Sequence, residues 1–164
     1  TGASTPFGHM LTETLLKAGH GVLAVCGEPV TSELEHARLT RIQTDLTRAR
    51  SVRRLLFGPA REAGVQTIVH TARHRSATHP GRDAHRLAVD STRLMLRLAE
   101  EHPTIDHFVF QSSAAVYRVS ARSPDVIRED HPLNLAADTG PWIRDWVEAD
   151  VGVCARALKP RSFR

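Results

Sequence analysis

The alternation of two kinds of apolar pattern constrains this chain more than any other feature of its sequence. Short, continuous apolar runs of the kind found in buried strands lie at Val22–Cys26, residues 67–72 and His107–Gln111. Longer stretches with helical spacing occur between them, at about residues 6–18 and 84–101. Short strands that alternate with helices are typical of βαβ units. We therefore expect an α/β fold with a doubly wound parallel sheet.

The same patterns predict individual boundaries. Thr5 and Pro6 are typical of a helix start, since a hydroxyl cap is followed by proline at the first helical position. Thr47 is expected to cap a second helix in the same way. Helical spacing on the first helix predicts a buried stripe made of Phe7, Leu11, Leu15 and Ala18.

The last third of the chain is less regular. Residues 118–140 contain prolines and aspartates and are expected to form a long loop. A helix over about residues 141–149 would carry Trp142 and Trp146 on one side, where they would serve as core or interface residues. The apolar run Val151–Arg156 predicts a final strand.

Length and hydropathy limit the class of protein. A chain of 164 residues with no internal linker predicts a single domain over residues 1–164, without a separate substrate domain. No apolar run approaches the roughly 18 residues that a membrane span needs. The chain also opens without a charged and then apolar signal segment. We therefore expect a cytoplasmic protein with no membrane contact.

The charge pattern argues against nucleic acid as a partner. The formal net charge is +4, and Lys17 and Lys159 are the only lysines among the 22 basic residues. The arginines are scattered over predicted helices and loops, with few aromatic residues between them on which bases could stack. No nucleic-acid interface is predicted.

The cysteines and histidines have structural interpretations. Cys26 and Cys154 each lie in an apolar run, which favours buried, reduced thiols over a disulfide. His74, His79 and His85 surround one polar segment, but their spacings match no pair of ligands on one helix face. No metal site is predicted.

A glycine-containing turn opens the chain and is the first candidate site. The segment from Thr1 to Gly8 places two glycines before a predicted helix, where backbone N–H groups and the helix dipole can meet a phosphate. Two glycines six residues apart are a weak signal by themselves. Four further motifs follow along the chain in this order: Asp45-Leu46, His70-Thr71-Ala72, Val89-Asp90-Ser91-Thr92 and Ser112-Ser113-Ala114-Ala115-Val116-Tyr117.

In this order and spacing the chain resembles the extended short-chain dehydrogenase/reductase family, and within it the NAD-dependent epimerase/dehydratase branch that acts on nucleotide sugars. The resemblance covers nearly the whole chain and implies a Rossmann-like domain that binds NAD. It implies that Asp45 and Leu46 border the adenine and that Ser113 donates a hydrogen bond to the substrate. The path to the nicotinamide would be lined by His70, Thr71 and Ala72. The pyrophosphate would lie on Gly2, Ser4, Thr5, Phe7 and Gly8.

The chain departs from the family at the catalytic pair. In the family a tyrosine four residues before a lysine transfers the proton, because the lysine lowers the pKa of the phenol. Here the family spacing places Gly140 and Arg144 at the two positions, and a second register places Trp142 and Trp146 there. Arg144 can supply a positive charge, but a guanidinium stays protonated and cannot replace a phenol. Ser113 also has a purely structural interpretation, as a hydroxyl that satisfies backbone at a strand end.

The cofactor site departs as well. Thr5 stands at the middle glycine of the turn, and Pro6 removes one N–H group from the helix start. At the position of the family's acidic residue that binds the adenine ribose, this chain has Cys26, and Glu28 is two residues further on. No basic residue nearby indicates a 2′-phosphate, so NAD is favoured over NADP.

Three functional hypotheses follow. The chain is an NAD-linked enzyme with a nucleotide-sugar ligand, a catalytically impaired dinucleotide-binding module, or a non-enzymatic scaffold or fragment. A homodimer is compatible with each. Since Thr1 already lies in the glycine turn, we also expect the first strand of the fold to be missing from the chain, and the short stretch from Glu148 to Val151 to mark a deletion.

Overall fold

The computed structural model of this chain describes residues 1–28, 34–73 and 82–158. The predicted polar segment that contains His74 and His79 lies largely outside these residues, as does Lys159. The strands are β1 (Val22–Cys26), β2 (Leu39–Gln43), β3 (Thr67–His70) and β4 (His107–Phe110). The α-helices are α1 (Pro6–Lys17), α2 (Ala49–Leu55), α3 (Arg82–His85), α4 (Ser91–Glu100) and α5 (Pro141–Ala157). A π-helical segment, Leu56–Ala60, extends α2, another, Arg86–Asp90, joins α3 to α4, and a 3₁₀ turn spans Ala114–Val116.

The strands form two parallel pairs. β1 pairs with β2, from Val22 opposite Leu39 onward, and β3 pairs with β4, from Thr67 opposite His107 onward. α2 and its π-helical extension lie between β2 and β3, and α3 and α4 lie between β3 and β4. The predicted parallel α/β fold is therefore confirmed.

The core lies between the strands and the helices α2 and α4. Val52, Met95 and Leu98 have no exposed surface, and their neighbours in the same apolar cluster come from β1, β3 and the segment after β2. Burial of aliphatic side chains of this size stabilises by about 2 kcal/mol each. A second, smaller cluster centres on Trp146 and Val116.

Helix α1 begins as predicted but buries a different face. Thr5 is its cap and Pro6 its first residue, as expected. The buried positions are Gly8, Thr12 and Leu16, whereas Phe7 is exposed, so the predicted stripe of Phe7, Leu11, Leu15 and Ala18 is wrong. The reason is Gly8, since a Cβ there would lie 2.2 Å from the Gly2 carbonyl oxygen. The bare backbone of Gly8 lets this face of the helix approach the turn.

The second helix has no hydroxyl cap. Arg48 is the cap residue of α2, and the Thr47 hydroxyl instead donates to Asp45 Oδ1 at 2.6 Å. Asp45 also accepts from the Thr47 N–H at 3.0 Å. The predicted role of Thr47 as the cap is wrong because the Thr47 hydroxyl is hydrogen-bonded to the Asp45 carboxylate in a local turn.

Helix α5 is longer than predicted. It continues to Ala157, so the predicted strand at Val151–Arg156 is wrong, and the helix is not interrupted after Glu148. Arg156 fixes the last turn by donating from Nε to Glu100 Oε1 of α4 at 2.5 Å. Cys154 is consequently exposed on a helix, whereas Cys26 is buried as predicted. None of the helices in the described ranges is long and apolar enough to cross a membrane.

Candidate functional site

The glycine turn packs against the end of β3. Gly2 has φ +77°, a conformation that favours glycine. A Cβ on Gly2 would lie 2.7 Å from the Ala72 nitrogen and 2.7 Å from Thr71 Oγ1. Thr71 is buried, and its hydroxyl donates to the Thr1 carbonyl at 2.7 Å. Four of the predicted cofactor residues, Gly2, Gly8, Thr71 and Ala72, are therefore brought together.

Thr5 occupies the centre of this turn. Its hydroxyl donates to the Gly2 carbonyl at 2.9 Å and accepts from the Gly8 N–H at 3.0 Å. This second bond satisfies one of the amides that a helix start offers to an anion. Pro6 has no N–H. Within the described residues, the Phe7 N–H is therefore the amide of the first helical turn that can still donate to a phosphate. Ser4 lies in the same turn and is half-buried.

His70 is a buried structural residue. Its Nδ1 lies 2.7 Å from Thr1 Oγ1, and its Nε2 lies 2.9 Å from Thr92 Oγ1. The Thr92 hydroxyl already donates to the Ala88 carbonyl at 2.7 Å, so it accepts from His70 Nε2–H. Burial, assisted by the positive charge of the Thr1 amino group, lowers the pKa of His70 to about 3. The imidazole is therefore neutral and offers a ligand no side-chain contact, because it is 1% exposed.

The ends of β1 and β2 carry the residues predicted for the adenosine half. Glu28 is exposed just after β1, whereas Cys26 is buried and burial raises the pKa of its thiol. Asp45 is exposed, and hydrogen bonds from Thr47 lower the pKa of its carboxyl group. Leu46 is buried in the apolar cluster with Val25, so its side chain supports the fold.

Ser113 adopts the structural role. Its hydroxyl accepts from the Ala115 N–H at 3.2 Å and so caps the 3₁₀ turn. The neighbouring Ser112 has a buried Oγ without a hydrogen-bond partner among the described residues. Ser112 stands beside Ser113 in the same sequence motif. Nothing in a local pattern distinguishes them, because the difference depends on which hydroxyl meets the turn.

Arg144 lies outside the cluster of predicted residues. It is exposed on α5, and its guanidinium donates to the Ala137 carbonyl in the preceding loop. Its predicted role at the lysine position of the catalytic pair stays a prediction. The loop itself is held by the buried Thr139 hydroxyl, which donates to Asn134 Oδ1 at 2.8 Å.

Aromatic side chains fill the space beyond β4. Trp146 is 5% exposed, and its ring centroid lies 6.2 Å from that of Phe110 and 6.4 Å from that of Trp142. Arg73, the residue after Ala72, places its guanidinium carbon 5.9 Å from the centroid of the Trp146 ring. Arg73 is not among the predicted site residues, although its position directly after the His70-Thr71-Ala72 motif could have indicated it.

The tyrosine and the described lysine of this chain each have a neighbouring partner. Tyr117, the single tyrosine of the chain, stands edge-on to His131 with centroids 6.3 Å apart. Lys17 pairs with Glu13 on α1 at 2.6 Å. Among the described residues there is also no group of histidine, cysteine and carboxylate side chains that could hold a metal ion.

A parallel α/β fold whose first glycine turn opens a helix and packs on a neighbouring strand end defines the class of Rossmann-like dinucleotide-binding folds. Comparison with known proteins gives the family. The model of the NAD dependent epimerase/dehydratase family matches residues 1–142. The chain belongs to this family, which confirms the resemblance inferred from its motifs. A search of the curated proteins found no match.

Solved structures support the fold. WbmH of Bordetella bronchiseptica, in complex with NAD+, is 19% identical with a TM-score of 0.75, over 94% of this chain and 50% of that one. A dTDP-glucose 4,6-dehydratase from Bacillus anthracis in complex with NAD is 20% identical with a TM-score of 0.75, over 95% and 48%. MoeE5 in complex with UDP-glucose and NAD is 21% identical with a TM-score of 0.72, over 98% and 48%. The chain thus spans about half the length of these structures.

Proposed function

We propose that this chain is a dinucleotide-binding module that binds NAD and lacks the proton-transfer chemistry of its family. The observation that carries the proposal is the tight packing of Gly2 on Thr71 and Ala72. This contact builds the phosphate-binding corner of the fold, while tryptophans stand at the catalytic tyrosine and lysine positions in one of the two registers. Solved structures with the same fold contain NAD.

In this proposal the pyrophosphate lies over the glycine turn. Gly2 and Gly8 keep the turn close to the helix, and the Phe7 N–H is directed to the anion together with the positive end of the α1 dipole. Thr5 weakens the site, because its hydroxyl occupies the Gly8 N–H. Ser4 completes the set of residues placed at the phosphates.

The adenosine half extends toward the ends of β1 and β2. Glu28 is the exposed carboxylate that can accept from the ribose hydroxyls, since Cys26 is buried. A carboxylate at this place repels a 2′-phosphate, which favours NAD over NADP. Asp45 and the backbone of Leu46 border the adenine.

The nicotinamide half faces Thr71, Ala72 and Ser113. We place a nucleotide sugar beyond it as a second ligand, since a solved relative in fold, MoeE5, is in complex with UDP-glucose. Arg144 takes no part in this proposal as a proton donor, because its guanidinium pairs with the Ala137 carbonyl. A cytoplasmic location and a homodimer belong to the same proposal. The oligomeric state is measured on the purified chain, and the location is measured in cells.

The alternative role, a scaffold that binds a partner through the tryptophans of α5, has less support. Trp146 is 5% exposed and packs against Phe110, so its ring is used within the chain. We therefore place NAD binding first.

Titration calorimetry with NAD tests the proposal on the natural chain, Thr5→Gly and Gly2→Val. We expect weak binding by the natural chain and about tenfold tighter binding by Thr5→Gly, since the substitution frees the Gly8 N–H at the phosphate. Gly2→Val should abolish binding, because its side chain would overlap Ala72 and Thr71. Circular dichroism checks that each variant is folded. Absence of binding by both the natural chain and folded Thr5→Gly would refute the proposal.

A further inference from the structure

The residue after the β3 motif places a positive charge on an aromatic ring. Arg73 follows Thr71 and Ala72 at the end of this strand and is exposed. Its guanidinium carbon lies 5.9 Å from the centroid of the Trp146 ring. A cation and the face of an aromatic ring attract each other within about 6 Å. This attraction holds the guanidinium against α5.

The Trp146 ring is itself held in place by its neighbours. It is 5% exposed, and its centroid lies 6.2 Å from that of Phe110 and 6.4 Å from that of Trp142. Val116 and Val147 belong to the same apolar cluster. Because the ring is fixed, the guanidinium rests on a rigid surface and loses less conformational freedom when it binds a ligand.

The N–H groups of Arg73 are available to a ligand. A guanidinium carries five N–H donors, and its attraction to a ring uses its charge without occupying them. In the ranges that the structure describes, no carboxylate pairs with Arg73. Asp145, which precedes Trp146, lies 2.7 Å from His85 Nδ1 instead. Arg73 therefore offers both a charge and directed donors to an external anion.

The same edge of the sheet contains a buried hydroxyl. β3 and β4 are parallel, with His70 opposite Phe110, so the segments that follow both strands leave the sheet at one edge. Ser112 lies in the segment after β4, and its Oγ is buried without a hydrogen-bond partner among the described residues. A buried hydroxyl in this state is unfavourable. A polar ligand at this edge would supply the partner.

The position of Arg73 relates it to the second ligand, and this step rests on the proposed function. There the nicotinamide half of NAD faces Thr71, Ala72 and Ser113, with a nucleotide sugar beyond it. Arg73 is the residue that follows Ala72, and its guanidinium lies against Trp146 of α5. The pyrophosphate of NAD is proposed instead over the glycine turn at the start of α1. Arg73 is thus on the side that we propose for the sugar.

We propose that Arg73 is a specificity-determining residue that binds an oxyanion of the second ligand, either a carboxylate on its sugar or its diphosphate. A planar guanidinium can donate two parallel N–H groups to either oxyanion. Such charge-assisted hydrogen bonds are roughly twice as strong as bonds between neutral groups. Arg73 therefore favours an anionic group over the hydroxyl groups of a neutral sugar.

Two nucleotide sugars test this proposal, since UDP-glucose and UDP-glucuronic acid differ in one carboxylate. Each is titrated in the presence of NAD into the natural chain, Arg73→Gln and Arg73→Lys. Tryptophan emission is the readout, because the two tryptophans of the chain, Trp142 and Trp146, both lie in this cluster. Calorimetry measures the same affinities independently. Arg97→Gln is the matched control, since it removes an exposed arginine from α4.

We expect Arg73→Gln to weaken binding of UDP-glucuronic acid about tenfold and Arg97→Gln to leave it unchanged. If the oxyanion is the carboxylate, binding of UDP-glucose is unaffected by Arg73→Gln. If it is the diphosphate, both sugars weaken equally. Arg73→Lys should give an intermediate affinity, because it keeps the charge without the planar arrangement of donors. Circular dichroism checks that each variant is folded.

Unchanged binding of both sugars by folded Arg73→Gln would overturn the proposal, and so would the absence of binding of either sugar by the natural chain. Calorimetry with NAD alone separates this result from the proposed function. We expect Arg73→Gln to bind NAD as the natural chain does. Equal loss of NAD binding and sugar binding would place Arg73 at NAD and overturn only this inference. If the natural chain does not bind NAD, the proposed function fails, and the same titrations without NAD decide the role of Arg73.

Discussion

At the scale of single residues, two glycines set the geometry of the corner where the turn, α1 and β3 meet. A Cβ added to Gly2 would lie 2.7 Å from the Ala72 nitrogen, and one added to Gly8 would lie 2.2 Å from the Gly2 carbonyl oxygen, which is too close for any side chain. These contacts hold the helix start over the strand end. The same packing that stabilises the fold therefore shapes the corner at which we propose that the phosphates bind.

Gly8→Ala tests this double role. The added Cβ meets backbone rather than a flexible side chain, so the turn must shift and the free energy of unfolding should fall by about 2 kcal/mol or more. NAD binding should fall with it. Gly58→Ala is the matched control, since a Cβ there has no neighbour within 4 Å. Denaturant unfolding of both variants is the measurement, and equal stability of the two would contradict the argument.

The buried His70 makes stability depend on pH. Its pKa is lowered to about 3 in the folded chain from an ordinary 6.5, so the unfolded chain binds the proton more readily. Its contribution to stability is complete above about pH 6.5 and is lost as the pH falls toward 3. The loss between about pH 7 and pH 4 should be about 3 kcal/mol.

His70→Gln is the variant that checks this contribution, because its amide can still donate to Thr92 but does not titrate. We expect the variant to be less stable at neutral pH and to lose less stability on acidification. Urea unfolding at several pH values measures both. An unchanged slope of stability against pH would show that other groups control acid unfolding.

At the scale of elements, contacts from α3 and α4 to α5 hold the last part of the chain in place. His85 Nδ1 lies 2.7 Å from Asp145 Oδ1, and Arg93 donates to Glu148 at 2.7 Å. Arg156 and Glu100 fasten the other end. These pairs hold α5 against α4 and so position Trp146 to pack against Phe110.

The His85 and Asp145 pair has the opposite pH dependence from His70. The hydrogen bond that His85 donates to Asp145 raises the pKa of His85, so this contribution is present below its ordinary pKa and is lost as the pH rises through the raised folded value. Asp145→Asn should return the pKa of His85 toward its ordinary value. Asp83→Asn, which removes a carboxylate that pairs with Arg86 instead, should leave it unchanged. NMR titration of the imidazole measures the pKa in both variants, and an equal shift would reject the pairing.

At the scale of the whole molecule, sequence patterns predict the strands and the turn well. Val22–Cys26 and the runs that begin at Thr67 and His107 are apolar segments bounded by polar or glycine residues, and each forms a strand there. Gly2 and Gly8 were found by spacing alone. Local patterns are enough at these places because each signal lies within one element.

The errors arise where distant contacts decide. Val151–Arg156 has apolar residues compatible with either a strand or a helix, and the bond from Arg156 to Glu100 joins two separate helices. Ser113 caps a 3₁₀ turn through the Ala115 N–H, and Arg144 donates to the Ala137 carbonyl, and neither contact follows from the family spacing. Side-chain contacts are therefore less predictable from the sequence than the elements that carry them.

The last prediction concerns catalysis by the whole chain. Proton transfer in this family needs a phenol beside a positive charge, but Tyr117 packs against His131 and Lys17 is paired on α1. We expect the chain mixed with NAD and UDP-glucose to bind NAD without forming reduced nicotinamide, measured by absorbance over hours. Gly2→Val, which should not bind, gives the matched baseline. Reduced nicotinamide that accumulates with the natural chain and not with Gly2→Val would show that another residue transfers the proton, and would reject the assignment of an impaired module.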